Sequence, residues 1–280
     1  MEFCRNICVF ATALRHEICN LSRPGLRLYN QRARAFGRTA AATASSSHHD
    51  KASHQPNNKP ASVLPFSTTK LLFDAFAMDK VKVYDILCAA IVPRPIAFVS
   101  TCSADGRVKN LAMFSFFMPV TSEPPTLAFS ITRKKRHSAK DTLVNILDTG
   151  HFVVNHTVQS VFDKGYQAAY EYDPDVDEFD EVGLTAVASK YGIAPIVKES
   201  PLSLECSLYK TMDIGEPKYG GSTIVVGKLL AVHISESCWK DGQIIPQTLE
   251  SVSRLSAMNY GNADITFKVL NDQVWSDKHW

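Results

Sequence analysis

Between residues 96 and 269 the chain is broken into short apolar runs rich in Val, Ile, Phe and Thr, with Gly, Pro, Asp and Asn between them. Runs of that length and β-branched content form strands, and the residues between them form turns. The spacing predicts strands over residues 96–103, 109–117, 126–132, 151–157, 202–211, 222–234 and 265–269. The Ala104-Asp105-Gly106 turn joins the first two as a hairpin. One short helix is expected over 142–147, capped by Asp141 and stopped by Gly150, and a second from Val158 to about Tyr170. The acidic stretch 171–181 reads as a solvated loop with a half-turn of helix around Phe179. Strands joined mostly by local connections close most simply as one antiparallel barrel, so the expected fold class is mainly β with a few short helices. With 280 residues, 45% of them hydrophobic, the chain can bury a full core. Folded structure is expected from near Phe66 or Lys80 to residue 280.

Charge is unevenly placed. Residues 1–60 hold nine Lys/Arg against three acids, and the remainder holds 21 against 25. A mildly acidic body lacks the basic surface that nucleic acid requires, so no nucleic-acid partner is expected. The early arginines at 5, 15, 23, 27, 32, 34 and 38, followed by an Ala/Thr/Ser tail, have the composition of an organellar transit peptide. The segment around Arg32, Arg34 and Phe36 favours a mitochondrial address, with a plastid as the alternative and a basic tail without an address as the plain reading. Residues 48–60 read as polar linker. The longest apolar candidate, 86–99, is broken by Pro93-Arg94-Pro95, so no membrane span is expected.

Spacing excludes several chemistries. The chain has no Gly-x-Gly-x-x-Gly, Walker, His-Glu-x-x-His or Gly-x-Ser-x-Gly pattern. Cys88, Cys102, Cys206 and Cys238 carry no Cys-x-x-Cys spacing and read as scattered thiols, and the histidines do not cluster, so no metal is expected.

The segment from Arg133 to Thr142 is densely cationic and leads into a helix start. Cations there oppose the helix dipole by roughly 0.3 to 1 kcal/mol each, and a ligand phosphate would relieve them. Arg133, Lys140 and Thr142 read as phosphate contacts, while Lys134, Lys135 and Arg136 read as solvent-facing. Upstream, Asn110-Leu111-Ala112-Met113-Phe114-Ser115-Phe116-Phe117 alternates small and polar groups with aromatics. Such a strand can lie against a flat ring, although a core strand full of Phe explains the same pattern.

In order along the chain stand Val92-Pro93-Arg94-Pro95-Ile96-Ala97-Phe98-Val99-Ser100-Thr101, the Asn110 to Phe117 strand with Pro124-Pro125, and Lys140-Asp141-Thr142 with Asn145-Ile146 and Thr149-Gly150. Val176-Asp177-Glu178-Phe179, Gly183-Leu184-Thr185, Glu199-Ser200-Pro201 and Gly220-Gly221-Ser222 follow. Over about residues 81–270 these motifs resemble the flavin reductase-like family, the FMN-binding split barrels. The resemblance implies an antiparallel Greek-key split barrel, a homodimer, bound FMN, and NADH or NADPH as electron donor. Carried over by position, it implies that Asn110, Leu111, Ala112, Phe114 and Ser115 line the isoalloxazine and Ser130 faces its polar edge. Arg133, Lys140, Asp141 and Thr142 would hold ribityl and phosphate. Two departures stand out. Members usually have two glycines after Arg-Leu, where this chain has Ser256-Ala257 before Tyr260, and commonly have Pro where Met113 stands.

Hydride transfer to a flavin needs no general base, so no catalytic side chain is assigned, and His156 is read as structural. The expected activity is that of an NAD(P)H-dependent flavin reductase. The alternative is a non-catalytic module that stores or presents FMN, its nicotinamide access closed by Ser256 and Ala257; a third reading lets 133–136 grip an acidic macromolecule.

Overall fold

The computed structural model describes residues 70–133, 139–216 and 220–265. Two units, Met1–Asp79 and Lys80–Trp280, divide the chain. In the first, the described residues form a turn in which Ala77 N donates to Asp74 O at 3.2 Å. The basic segment 1–60, the cations Lys134, Lys135 and Arg136, and all but Ile265 of the strand expected over 265–269 lie outside the described residues.

The second unit opens with helix α1 (Lys80–Ala90) and then runs β1 (Arg94–Pro95), β2 (Ala97–Cys102), β3 (Lys109–Phe114), β4 (Phe117–Ser122) and β5 (Pro125–Thr132). Helix α2 (Asp141–Thr149), β6 (His151–His156), α3 (Gln159–Ala168) and α4 (Glu178–Val182) follow, with a small β7 (Ala186–Val187) and β8 (Ile196–Val197) pair. The long β9 (Leu202–Ile214) and β10 (Ser222–Ile234) come next. Two minor pairs end the unit: β11 (Trp239–Lys240) with β12 (Gln243–Ile244), and β13 (Val252–Arg254) with β14 (Tyr260–Asn262).

Seven strands form one antiparallel sheet in the order β3-β2-β6-β9-β10-β5-β4. β3 and β4 are its two edges, yet only Ser115 and Phe116 separate them along the chain. Two residues cannot span an open seven-stranded sheet, so the edges must adjoin and the sheet closes as a barrel. At this seam Ser130 N donates to Phe116 O at 2.9 Å. The chain then crosses from β5 through α2 to β6 in the middle of the order, which is the Greek-key step. The expected mainly β split barrel is the observed fold.

The barrel interior is filled from every side by Ala97, Val99, Phe114, Phe129, Ile131, Phe152, Val154, Cys206 and Val225, with Leu143 and Ile146 of α2 as the plug. Each of the Val, Leu, Ile and Phe side chains contributes about 1.5–3 kcal/mol on burial. A second core covers the outer face of β2 and β3, where Phe98 and Leu111 meet Val161 and Ala168 of α3 and Phe179 of α4. β2 is therefore buried on both faces, its polar Ser100 and Thr101 included.

Several expectations are revised. Asp141 is the first residue of α2, not its cap; Lys140 holds the cap position and makes no side-chain cap bond. Gly150 does stop the helix, at φ 67, donating its N–H to Ile146 O at 2.9 Å. The strand expected over 109–117 is two strands broken at the seam, and Pro119 is tolerated in β4 because that strand is an edge. The acidic stretch is only partly a solvated loop: Asp177 caps α4 by accepting from Phe179 N at 3.0 Å and Asp180 N at 3.3 Å, and both Glu178 and Phe179 are buried. Helix α1 was not expected; it buries only Cys88.

Candidate functional site

Antiparallel pairing sets Asn110 of β3 opposite Thr101 of β2, and α2 begins beside them. Asn110 is 5% exposed, and both polar atoms of its side chain are engaged. Its Oδ1 accepts from Thr101 Oγ1 at 3.1 Å and Thr142 Oγ1 at 2.8 Å, and its Nδ2 donates to Glu178 Oε1 at 2.7 Å. Asn145 Nδ2 extends the network to Thr101 Oγ1 at 3.1 Å. The other Glu178 oxygen accepts from Leu111 N at 3.3 Å, so one buried carboxylate clamps both the side chain and the main chain of β3. Lys109 of the same strand pairs with the capping Asp177 at 2.6 Å.

Beside this network lies a cavity of about 240 Å³, lined by Asn110, Asp141, Asn145, Asp148, Asp173 and Glu178 among others. A smaller pocket of about 20 Å³ adjoins it, lined by Ala112, Lys140, Thr142 and Tyr170 together with Asn110, Asp141 and Glu178. Burial pushes the Glu178 carboxyl up to about 7. The hydrogen bonds from Asn110 and Leu111 work against that rise, and the charge of Asp141 adds to it.

Of the residues expected at a site, Asn110, Ala112, Lys140, Asp141 and Thr142 are thus brought to one pocket. The Thr142 hydroxyl is spent on Asn110. Leu111 offers only its backbone, since its side chain packs in the outer core. Phe114 lies in the barrel core, its ring 5.3 Å from that of Phe129. Ser115 and Ser130 are half-buried at the seam. Arg133 stands at the end of β5, where its guanidinium pairs with Asp213 at 3.2 Å. Glu178 is the residue that sequence reasoning missed. The signal available was local: Asp177 as a cap and Gly183 as a stop frame a helix in what reads as an acidic loop.

The closing segment is tied down by two arginines. Arg254 donates to Ser256 O at 3.2 Å, to Ala257 O and to Ser115 Oγ at 3.4 Å, with its guanidinium 5.5 Å from the centre of the Tyr260 ring. Arg94, 4% exposed, donates to Cys88 O at 2.5 Å, Ile91 O at 2.8 Å and the same Ser256 O at 3.3 Å. His156 shares a hydrogen bond with Ser251 Oγ at 2.7 Å, a structural engagement. Cys88, Cys102, Cys206 and Cys238 are buried free thiols, and burial pushes Cys206 up to about 12. Among the described residues no helix is long and apolar enough to cross a membrane, and no group of three or more His, Cys, Asp and Glu could hold a metal ion.

The family model for the flavin reductase like domain matches residues 89–244. An uncharacterised protein of Aquifex aeolicus is 39% identical over 154 residues, 55% of this chain and 76% of that protein. The uncharacterised protein YwrF of Bacillus subtilis is 30% identical over 203 residues, 71% of this chain and 98% of its own length. Among solved structures, nitrilotriacetate monooxygenase component B from Bacillus cereus superposes with a TM-score of 0.69 at 28% identity, over 72% of this chain and 100% of that one.

These matches correct the organellar assignment. The relatives are bacterial and archaeal, from organisms with neither mitochondria nor plastids, so the domain is of prokaryotic type and the mitochondrial reading, with its plastid alternative, is withdrawn. The closed barrel and a family match over more than half the sequence agree, and the chain belongs to the flavin reductase-like family of split-barrel flavoproteins.

Proposed function

We propose that this protein is an FMN-binding oxidoreductase that accepts hydride from NADH or NADPH and works as a homodimer. The observation that carries the reading is the convergence of Asn110 and Ala112 of β3 with Lys140 at the start of α2, a helix without a side-chain cap. An uncapped helix start presents backbone N–H groups, and with Lys140 it suits a phosphate. Thr142 would meet that phosphate through its main chain, because its hydroxyl already serves Asn110. The small side chain of Ala112 leaves the β3 backbone approachable by a flat ring. When bound, FMN supplies the two-electron acceptor; the protein's own part is to orient it and to exclude water.

The cavity supports the dimer. At about 240 Å³ it falls below the roughly 300–1,000 Å³ of a site that encloses a drug-sized ligand, which favours a flavin site completed by a second copy. Met118 and Val120 of β4 are exposed at 57% and 49%, and Phe116 at the seam is also exposed. That apolar strip beside Ser115 suits the face of a second copy completing the site.

Anaerobic titration of the FMN-loaded full chain tests the activity. Loss of the yellow colour on adding NADH or NADPH, with recovery in air, is the expected result. Colour that persists under saturating amounts of both would select the FMN-presenting module instead, and a chain that takes up no FMN would end both readings.

A further inference from the structure

The pocket assigned to the flavin phosphate holds more negative charge than positive. Lys140 reaches it from the cap position of α2, Asp141 from the first residue of that helix, Glu171 from the segment after α3, and Glu178 from the start of α4. The adjoining cavity adds Asp148 and Asp173. Arg133, expected to contact the phosphate, is paired with Asp213, and Lys109 is paired with Asp177. Asp180 and Glu181, on the helix that carries Glu178, are acids as well. A dianion entering here meets Lys140 and helix N–H groups, and also a buried carboxylate whose oxygens accept from the neutral donors Asn110 Nδ2 and Leu111 N.

Resting on the flavin reading above, we propose that Glu178 couples FMN binding to pH: the phosphate-bearing ligand binds with uptake of one proton from solvent at the Glu178 carboxyl. Three observations converge on this residue. Glu178 lines both the pocket and the adjoining cavity. It is 5% exposed, so its charge is poorly screened and the repulsion on a nearby phosphate is correspondingly large. Its two oxygens accept from Asn110 and Leu111, and a protonated carboxyl keeps an acceptor for Asn110 while losing the charge. The carboxyl already sits at about 7, within reach of physiological pH, and the charge of an arriving dianion pushes it strongly further toward the protonated form. Neutral Glu178 then lets the strand keep its anchored position and the phosphate keep Lys140.

The test is calorimetric titration of the flavin-free full chain with FMN, and with riboflavin, which lacks the phosphate, at about pH 6 and about pH 8. Running each in buffers of different ionisation enthalpy counts the protons. For the wild type, FMN affinity falls about tenfold between the two pH values, with about one proton taken up at the higher, while riboflavin affinity changes less than about twofold. Glu178→Gln flattens the FMN dependence to that of the phosphate's own ionisation and takes up no proton. Asp141→Asn, which leaves the carboxyl in place, moves the wild-type midpoint to lower pH by removing a neighbouring charge. Equal pH slopes in wild type and Glu178→Gln, or no proton uptake by the wild type, overturn the proposal while leaving the flavin reading intact. Should Glu178→Gln fail to fold, an unmoved midpoint in Asp141→Asn overturns it equally. Failure of FMN to bind at either pH defeats the flavin reading and this proposal together.

Discussion

His233 Nε2 lies 2.5 Å from Glu205 Oε1, a diagonal bridge from β10 to β9 that ends on a carboxylate with no solvent exposure. The same carboxylate accepts from Lys190 N at 2.7 Å and Tyr191 N at 2.9 Å, so it pins the segment between β7 and β8 to the barrel wall. Burial works to raise this carboxyl, but the two backbone N–H groups and His233 outweigh it and hold Glu205 below its usual range.

Removing that carboxylate leaves two backbone donors and a histidine without their acceptor. Glu205→Ala is expected to cost about 3 kcal/mol or more in urea unfolding, and Glu205→Gln about half as much, because the amide oxygen still accepts. Because the folded value is depressed, the contribution of Glu205 is present above the unfolded carboxyl value and fades as pH falls through the folded one. Equal stability of Glu205→Ala and wild type at neutral pH would show that the bridge holds nothing.

Glu178 predicts the opposite trend in a different window. Its carboxyl is raised from 4.5 to about 7 in the folded chain. Between those values the native state keeps a proton that the unfolded chain has released, so stability falls as pH rises from 4.5 to about 7. The full swing is on the order of 3 kcal/mol. Denaturant midpoints measured across that window should decline for the wild type and stay level for Glu178→Gln; a flat wild-type profile counts against a buried, protonatable Glu178.

Much of this architecture was legible from periodicity and punctuation. β2 and β6 were found because both faces of a central strand are buried and Val and Phe dominate the run, whereas β9 and β10, which bury only part of their length, were found from their length and their Leu, Ile and Val content. The seam was not legible: Lys109 to Phe117 reads as one continuous strand, and only the pairing of β4 with β5 reveals the break at Ser115 and Phe116. Helix α1 was missed because Val81, Tyr84, Ile86 and Leu87 are all exposed, so no buried apolar stripe marks a helical period. In the site, Asn110, Ala112 and Lys140 stood out as unusual residue types for their elements. Glu178 did not, because a glutamate among acids has the composition of a solvated loop whatever its burial.

Gly192 lies flat against the imidazole of His151, and a Cβ added there would overlap the ring. His151 is 6% exposed with neither ring nitrogen hydrogen-bonded, and burial lowers its pKa, so the ring sits neutral beneath the segment that Glu205 pins. Gly192→Ala is expected to lower stability by about 1–3 kcal/mol through overpacking. Combining it with His151→Ala should recover part of that loss in the melting temperature. An additive double variant would mean that the two residues do not press on each other.

Arg254 ties the Ser256-Ala257 carbonyls to Ser115 at the barrel seam. Lysine in its place keeps the charge but presents a single ammonium, which cannot reach all three acceptors as the planar fork does. Arg254→Lys is therefore expected to loosen this turn while the barrel, whose core it does not enter, stays folded. Leu255 and Met258 flank the tied carbonyls and are already exposed, so they become the sites of attack. Limited chymotrypsin digestion should cleave after Leu255 or Met258 about tenfold faster in the variant, matching the loss of about 1.4 kcal/mol that two hydrogen bonds represent. Unchanged cleavage rates would mean that the turn is held by the tilted packing of Tyr260 against Phe162, whose ring centres lie 4.6 Å apart, rather than by the guanidinium.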